Sequence, residues 1–302
     1  MAHWTVGQDR LTFAGPKPVG SDLDRLAQAI DWAAIKTTLS CIYAAPKGEK
    51  AWPPLVLFKA LLIGIWHDLS DERLAGAIDD RKSFRHFCGF ATHEPTPERT
   101  AFVRFRRALV EHGLDAKLLV AVDEAIAAQG LVVKTGTLVD ATLIPSASKK
   151  DEEARWAGHR SKKPTHGDKA HVAADKDTSL IDQIEVTTAN IHDSRMIDAF
   201  LPDDPGEVYA DTAYDSFKIL ELIKSRGGQP RIVQRGGCGP IEKPELWNAR
   251  GRKIRCRIEK IFGTWKRLYG LGRTRYPGRA RVRLHVHLTA IAQSFSGSGG
   301  TT

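Results

Sequence analysis

Cysteine is scarce and scattered: Cys41, Cys88, Cys238 and Cys256 are the only four in 302 residues, and no two form a Cys-x-x-Cys pair. With no secretory leader ahead of them, they argue against a disulfide framework and for a reducing compartment, so the chain is expected to be cytoplasmic. Long apolar runs are missing too. The longest, Leu55 to Trp66, contains Lys59 and is too short to cross a bilayer, which leaves no reason to expect a membrane partner. No internal repeat is found, which excludes a solenoid or a propeller. Residues 1–20 and 294–302 are rich in Gly, Ser or Pro and lack either period, so both ends are expected to be poorly ordered tails.

What the chain has in excess is positive charge. The formal balance is +9 with a pI near 9.4, on an ordinary hydrophobic content of 42%. The placement matters more than the sum. Fourteen Lys or Arg fall between Lys243 and Arg283, and a second cluster spans Lys149 to Lys163. A phosphate backbone is the natural counterpart of such stretches, so double-stranded DNA is the expected partner. A chain of this length buries a sizeable core as one large domain or two ordinary ones.

The period of the apolar residues divides the chain. From 21 to 130 it is helical almost throughout. Ser21 reads as a cap before Leu23, Leu26, Ile30 and Ala33, and a long apolar helix opens near Pro53. Ser70 caps a helix carrying Leu74 and Ile78, and Thr96, with Pro97 at the first helical position, reads as the cap of the helix with the stripe Phe102, Phe105, Leu109. A last helix covers Leu114 to Gln129. From 131 to 293 strands appear at Val132 to Ile144, His171 to Ala174, Leu180 to Thr188, Glu207 to Ala210 and Gln229 to Val233. Helices are expected after Asp193, over Asp215 to Arg226 and over Glu245 to Leu268. The order β-β-β-α-β-α-β-α predicts a mixed α/β, ribonuclease H-like domain after an all-helical one.

Three carboxylates stand in uncomfortable places. Asp140 interrupts the apolar run Leu138 to Ile144, Asp211 ends the strand Val208-Tyr209-Ala210, and Glu259 lies in a strongly basic helix. Strands are depleted in Asp, and a charge in apolar surroundings is costly unless paired or bound to metal. In the basic helix Ile254, Ile258, Ile261, Trp265 and Leu268 form a stripe expected to be buried. Arg255, Glu259, Phe262 and Lys266 form the neighbouring stripe, where two cations flank one carboxylate. Each acid also has a plain structural role open to it. Arg255 and Glu259 read as an ordinary i, i+4 surface pair, Asp140 as a strand residue paired to a buried Arg, and Asp211 as the cap of the following turn. Their joint placement on the first strand, a later strand and the final helix is what points to one site.

Val139-Asp140-Ala141-Thr142, Tyr209-Ala210-Asp211-Thr212-Ala213-Tyr214-Asp215 and Arg255-x3-Glu259-x6-Lys266 resemble the three acidic motifs of the DDE transposases of bacterial insertion sequences, close to the insertion sequence five family. The likeness runs from about Trp52 to His287. It includes Ser83-Phe84-Arg85-His86-Phe87-Cys88-Gly89, His166-Gly167-Asp168-Lys169-Ala170-His171 and Asn190-Ile191-His192-Asp193. Where the family has a Tyr three residues before the Arg, this chain has Arg252. The resemblance implies that Asp140, Asp211 and Glu259 hold two Mg²⁺ ions per site, with Mn²⁺ able to substitute. It also implies that Arg252, Arg255 and Lys266 meet DNA, that element ends are cut and joined to a target, and that a homodimer works on the DNA. A catalytically silent DNA-binding derivative and a nuclease without strand transfer are the alternatives.

The helical region carries its own expectation. Exposed Arg104 and Arg107, with Arg99 and Arg106, would suit a helix-turn-helix reader in the major groove, or equally a bundle with a basic exterior. His166 and His171 fall at an odd spacing on a strand, which sends them to opposite faces and argues against a zinc site. Asp193 and Asp215 read as helix caps.

Overall fold

The computed structural model describes residues 22–42, 51–128, 135–158, 163–234 and 244–298. The expected tail over 1–20, the cap at Ser21 and the start of the first strand at Val132 lie outside these residues. The chain divides into two compact units, Met1–Gln129 and Gly130–Thr301.

The first unit is helical: α1 Asp22–Ala29, α2 Trp32–Leu39, α3 Pro54–Trp66, α4 Asp71–Asp80, α5 Lys82–Cys88, α6 Arg99–Glu111 and α7 Asp115–Ala127. Helix α3 is apolar on nearly every side and packs against α2, α4, α5 and α6, which explains why its run lacks polar residues. Its one charge, Lys59, sits 4.2 Å from the centroid of the Trp32 ring. Ser70 caps α4 by accepting the Arg73 N–H at 3.3 Å, and Phe102, Phe105 and Leu109 of α6 are fully buried. Helix α5 ends at Gly89, whose φ of +92° is the left-handed geometry that favours glycine. The buried Arg85 just before it donates to the carbonyls of Ala91 and Glu94 and so ties down the following loop.

Two local expectations are corrected. The stretch from Leu23 to Ala33 is two helices, because Asp31 accepts the Ala33 N–H at 2.9 Å and starts α2 afresh. Thr96 does not cap α6. Its hydroxyl donates to Asp79 at 3.3 Å, and α6 begins after Glu98 without a side-chain cap.

The second unit holds a six-stranded sheet, β1 Gly136–Pro145, β2 Arg155–Ala157, β3 Thr165–Asp175, β4 Ile181–Thr188, β5 Glu207–Tyr209 and β6 Gln229–Pro230. Its order is β2-β3-β1-β5-β6, with β4 also paired to β3. β1, β3 and β4 run antiparallel, whereas β5 and β6 join β1 in parallel. Connecting parallel strands requires crossovers, and α8 Ile197–Phe200 and α9 Phe217–Ser225 lie in them. They pack on one face of the sheet with Val139, Ala173, Val208, Ala210 and Tyr214. Two long helices, α10 Pro244–Arg267 and α11 Arg279–Ser298, cover the other: Arg255 of α10 reaches Asp140 and Arg279 of α11 reaches Asp168. This is the mixed, helix-flanked sheet of a ribonuclease H-like fold.

β3 is longer than its apolar end suggested, because its first half is held by β1 on one side and β2 on the other. Gly167 is required there: a Cβ would fall 2.1 Å from the Ile144 carbonyl oxygen. The second correction is the C-terminal end. Helix α11 continues to Ser298, with Ser294 and Phe295 buried, so the segment expected to be a tail from 294 is part of the fold through the last described turn. Within α10, Ile258, Ile261 and Trp265 are buried as the stripe required, but Leu268 is 60% exposed because the helix ends at Arg267.

Candidate active site

Asp140 and Asp211 reach the same place through strand register. In the parallel pairing, Gly136, Thr137 and Leu138 of β1 stand beside Glu207, Val208 and Tyr209 of β5. Asp140 lies two residues beyond Leu138 and Asp211 two beyond Tyr209, past the end of the paired segment, and the two carboxylates are near enough for the charge of Asp211 to act on Asp140. The side chain of Asp211 accepts the Ala213 N–H at 2.8 Å and so caps the turn Thr212–Tyr214, which fixes its rotamer. Asp140 is paired with Val172 across β3 and points toward α10.

Helix α10 brings the cation. Arg255 Nη2 donates to Asp140 Oδ2 at 3.2 Å and stands 3.9 Å from Glu259 Oε1, so one nitrogen faces both carboxylates. The plain structural roles of Asp140 and Asp211 are both realised, and they are realised at the same spot. Asp140 and Arg255 are largely buried, with side chains 16% and 14% exposed, whereas Glu259 is 62% exposed and makes no closer contact. Burial pushes the Asp140 carboxyl up to about 6; Arg255 and the Ala141 N–H pull it down, and the Asp211 charge adds to the rise. The protein leaves this carboxylate pair short of positive charge.

Tyr214 completes the wall behind the pair. Its hydroxyl is buried without a hydrogen-bond partner among the described residues, and its pKa is raised well above the usual value by burial, with Asp193, Asp140 and Asp211 adding to the rise. Asp193 is not a cap: His192 occupies that position, and Asp193 accepts from Lys169 Nζ at 2.6 Å. Lys169 also donates to the Ile191 carbonyl at 2.7 Å. Sequence reasoning missed both this ion pair and Tyr214. The available signal was a Lys on a strand that is otherwise mostly buried, which like a strand Asp needs a partner. His166 and His171 do separate, one against Trp156 and the other against Phe200, and burial lowers the His171 pKa to about 4.

The basic residues divide into inward and outward groups. Arg252 and Lys266 are exposed on α10. Others in the same run are spent on the fold: Arg257 pairs with Asp177 at 3.0 Å, Arg273 donates to the carbonyls of Ser146 and Ala147, and Arg279 reaches Asp168 and the Glu153 carbonyl. In the helical unit Arg104 is exposed, Arg107 forms an exposed i, i+4 pair with Glu111 at 2.7 Å, and Arg106 is mostly buried against Asp71. A short helix, α5, intervenes between α4 and α6, so those two helices are not consecutive.

No three His, Cys, Asp or Glu side chains among the described residues are grouped closely enough to hold an ion. The donor set nevertheless suits a hard divalent cation. The largely buried Asp140, the half-buried Asp211 near it and a third acid one guanidinium away offer oxygen ligands only, and Mg²⁺ takes few of these from protein. No helix of the described residues is long and apolar enough to cross a membrane.

A ribonuclease H-like sheet with an aspartate on its central strand, a second just past the end of the neighbouring parallel strand, and an acid on the covering helix defines a class of nucleic-acid-cutting domain. The sequence model of the Transposase DDE domain matches residues 133–295, and that of a further transposase domain matches residues 14–108. The first match spans more than half of the chain, which belongs to the Transposase DDE domain family.

Proposed function

We propose that this protein is a transposase of the insertion sequence five group that cuts the ends of its element and joins them to target DNA, working as a homodimer on double-stranded DNA. Asp140, Asp211 and Glu259 are its metal ligands, for two Mg²⁺ ions with Mn²⁺ able to substitute. The observation that carries this reading is that the largely buried Asp140 feels the charge of Asp211 and faces a single arginine shared with Glu259.

Divalent ions bound there would activate the attacking water or 3′-hydroxyl and neutralise the leaving oxygen. The protein's own contribution is placement. Asp140 is fixed by its pairing with Val172 of β3 and Asp211 is held by the Ala213 N–H, so both would serve as oxygen ligands from set positions. Glu259, on the exposed edge of α10, would close the set from the DNA side. Arg252 and Lys266 would hold backbone phosphates.

The test is incubation of labelled candidate ends with purified protein and Mg²⁺ or Mn²⁺, scoring nicking and joining separately for wild type, D140N, D211N and E259Q. Loss of both steps by at least 10²-fold in each variant is expected. Full nicking by D140N would overturn the reading. Binding without nicking by the wild type would indicate a silent derivative, and nicking without joining a nuclease.

A further inference from the structure

We infer that Arg255 and a divalent cation compete for the same carboxylate oxygens, and that DNA relieves the competition by offering its phosphate to the guanidinium, so that metal and DNA bind cooperatively. This rests on the reading of Asp140, Asp211 and Glu259 as metal ligands.

The geometry supplies the competition. Nη2 of Arg255 faces Asp140 Oδ2 at 3.2 Å and Glu259 Oε1 at 3.9 Å, so the oxygens assigned to the metal look onto one nitrogen that already bears positive charge. A divalent cation entering between them meets like charge at close range in a largely buried setting, where screening by water is weak.

The guanidinium is also loosely held. Of its five N–H donors one makes a hydrogen bond among the described residues, to Asp140. The Glu259 contact is too long to count as another, and the buried Nε has no partner. A planar fork with unused donors matches a phosphate, which accepts two parallel N–H bonds and carries the charge that a carboxylate engaged by metal no longer offers. Exposed Arg252, three residues before on α10, lies along the route of an approaching backbone. Breaking one hydrogen bond and forming two to phosphate lets Arg255 turn while the helix stays in place.

Linkage makes the coupling reciprocal: whatever factor DNA adds to metal affinity, metal adds to DNA affinity. The physical consequence is an active site that gathers its ions chiefly when a substrate backbone is present.

The experiment uses the full chain and measures Mn²⁺ binding by titration, reading free Mn²⁺ from its paramagnetic resonance signal, with and without a short duplex of arbitrary sequence. For wild type the duplex is expected to tighten Mn²⁺ binding by about 10-fold, within the usual range of coupling between sites. R255Q, which removes the charge and keeps hydrogen-bonding capacity, should bind Mn²⁺ about 10-fold more tightly than wild type without DNA and lose most of the effect of the duplex. Thermal melts of each variant confirm folding, and R255K, which retains the charge, should stay weak without DNA. If R255Q binds Mn²⁺ no better than wild type while D140N loses binding, Arg255 is not the competitor and the metal site stands. If D140N binds Mn²⁺ as the wild type does, the metal site itself is wrong.

Discussion

Asp140 and Arg255 lie 115 residues apart in the chain and meet at 3.2 Å, a central strand on one side and the penultimate helix on the other. Because each is mostly buried, the pair joins the sheet to its cover while leaving the carboxyl under-compensated.

Asp140→Asn should stabilise the metal-free protein at neutral and alkaline pH. The folded carboxyl titrates near 6, above its ordinary value of 3.8, so the stability tied to its protonated form is present below 3.8 and lost as pH rises through 6. Asparagine removes that loss, an effect of about 3 kcal/mol at pH 8 that vanishes by about pH 3. Chemical denaturation of both proteins at the two pH values checks it. Equal stability at pH 8 would show that the carboxylate is well compensated.

Asp211 separates two roles. Asp211→Ala removes the acceptor of the Ala213 N–H and should cost ~1 kcal/mol as well as strand cleavage. Asp211→Asn retains an acceptor for that cap and should abolish cleavage at little cost in stability. Melting curves and a nicking assay on the two variants distinguish cap from ligand.

Arg104 and Arg107 should matter to DNA and Arg106 to the fold. The double change Arg104→Ala with Arg107→Ala is expected to leave stability within about 0.5 kcal/mol, since only an exposed pair with Glu111 is lost, and to weaken DNA binding with a shallower salt dependence. Arg106→Ala leaves Asp71 largely buried and unpaired and should cost ~3 kcal/mol. Unchanged affinity and salt slope in the double variant would remove α6 from the DNA surface.

Phe295→Ala should destabilise the catalytic unit by ~3 kcal/mol, because the ring is buried in the last turns of α11. Urea unfolding measures it. A change under 0.5 kcal/mol would mean that these turns do not pack as described.

How much of this could be read from the sequence depends on where the deciding interaction lies. The strand around Asp140 was legible because its apolar residues alternate over a long run, and the stripe of α10 because its spacing is helical over several turns. Leu268 continued that spacing on paper, but the helix stops one residue earlier and the chain turns at Gly270, with φ of +72°. Helix α11 was hidden for a different reason. Val282, Leu284, Val286 and Leu288 alternate with Arg and His, a strand-like period, and all four are buried together with His285, His287 and Thr289. Packing over the sheet decided there, with His287 and Thr289 satisfied by carbonyls one turn back in the same helix. The Lys169 to Asp193 pair and the sharing of Arg255 were not legible either, because each depends on which faces of distant elements meet.

The order of elements along the chain carries a consequence for synthesis. Both helices that cover the acidic face, and with them Arg255 and Glu259, are translated last, after every strand of the sheet has been made. A polypeptide still emerging from the ribosome therefore carries Asp140 and Asp211 before Arg255 and Glu259 exist, and that face of the sheet stays uncovered until α10 and α11 have been added.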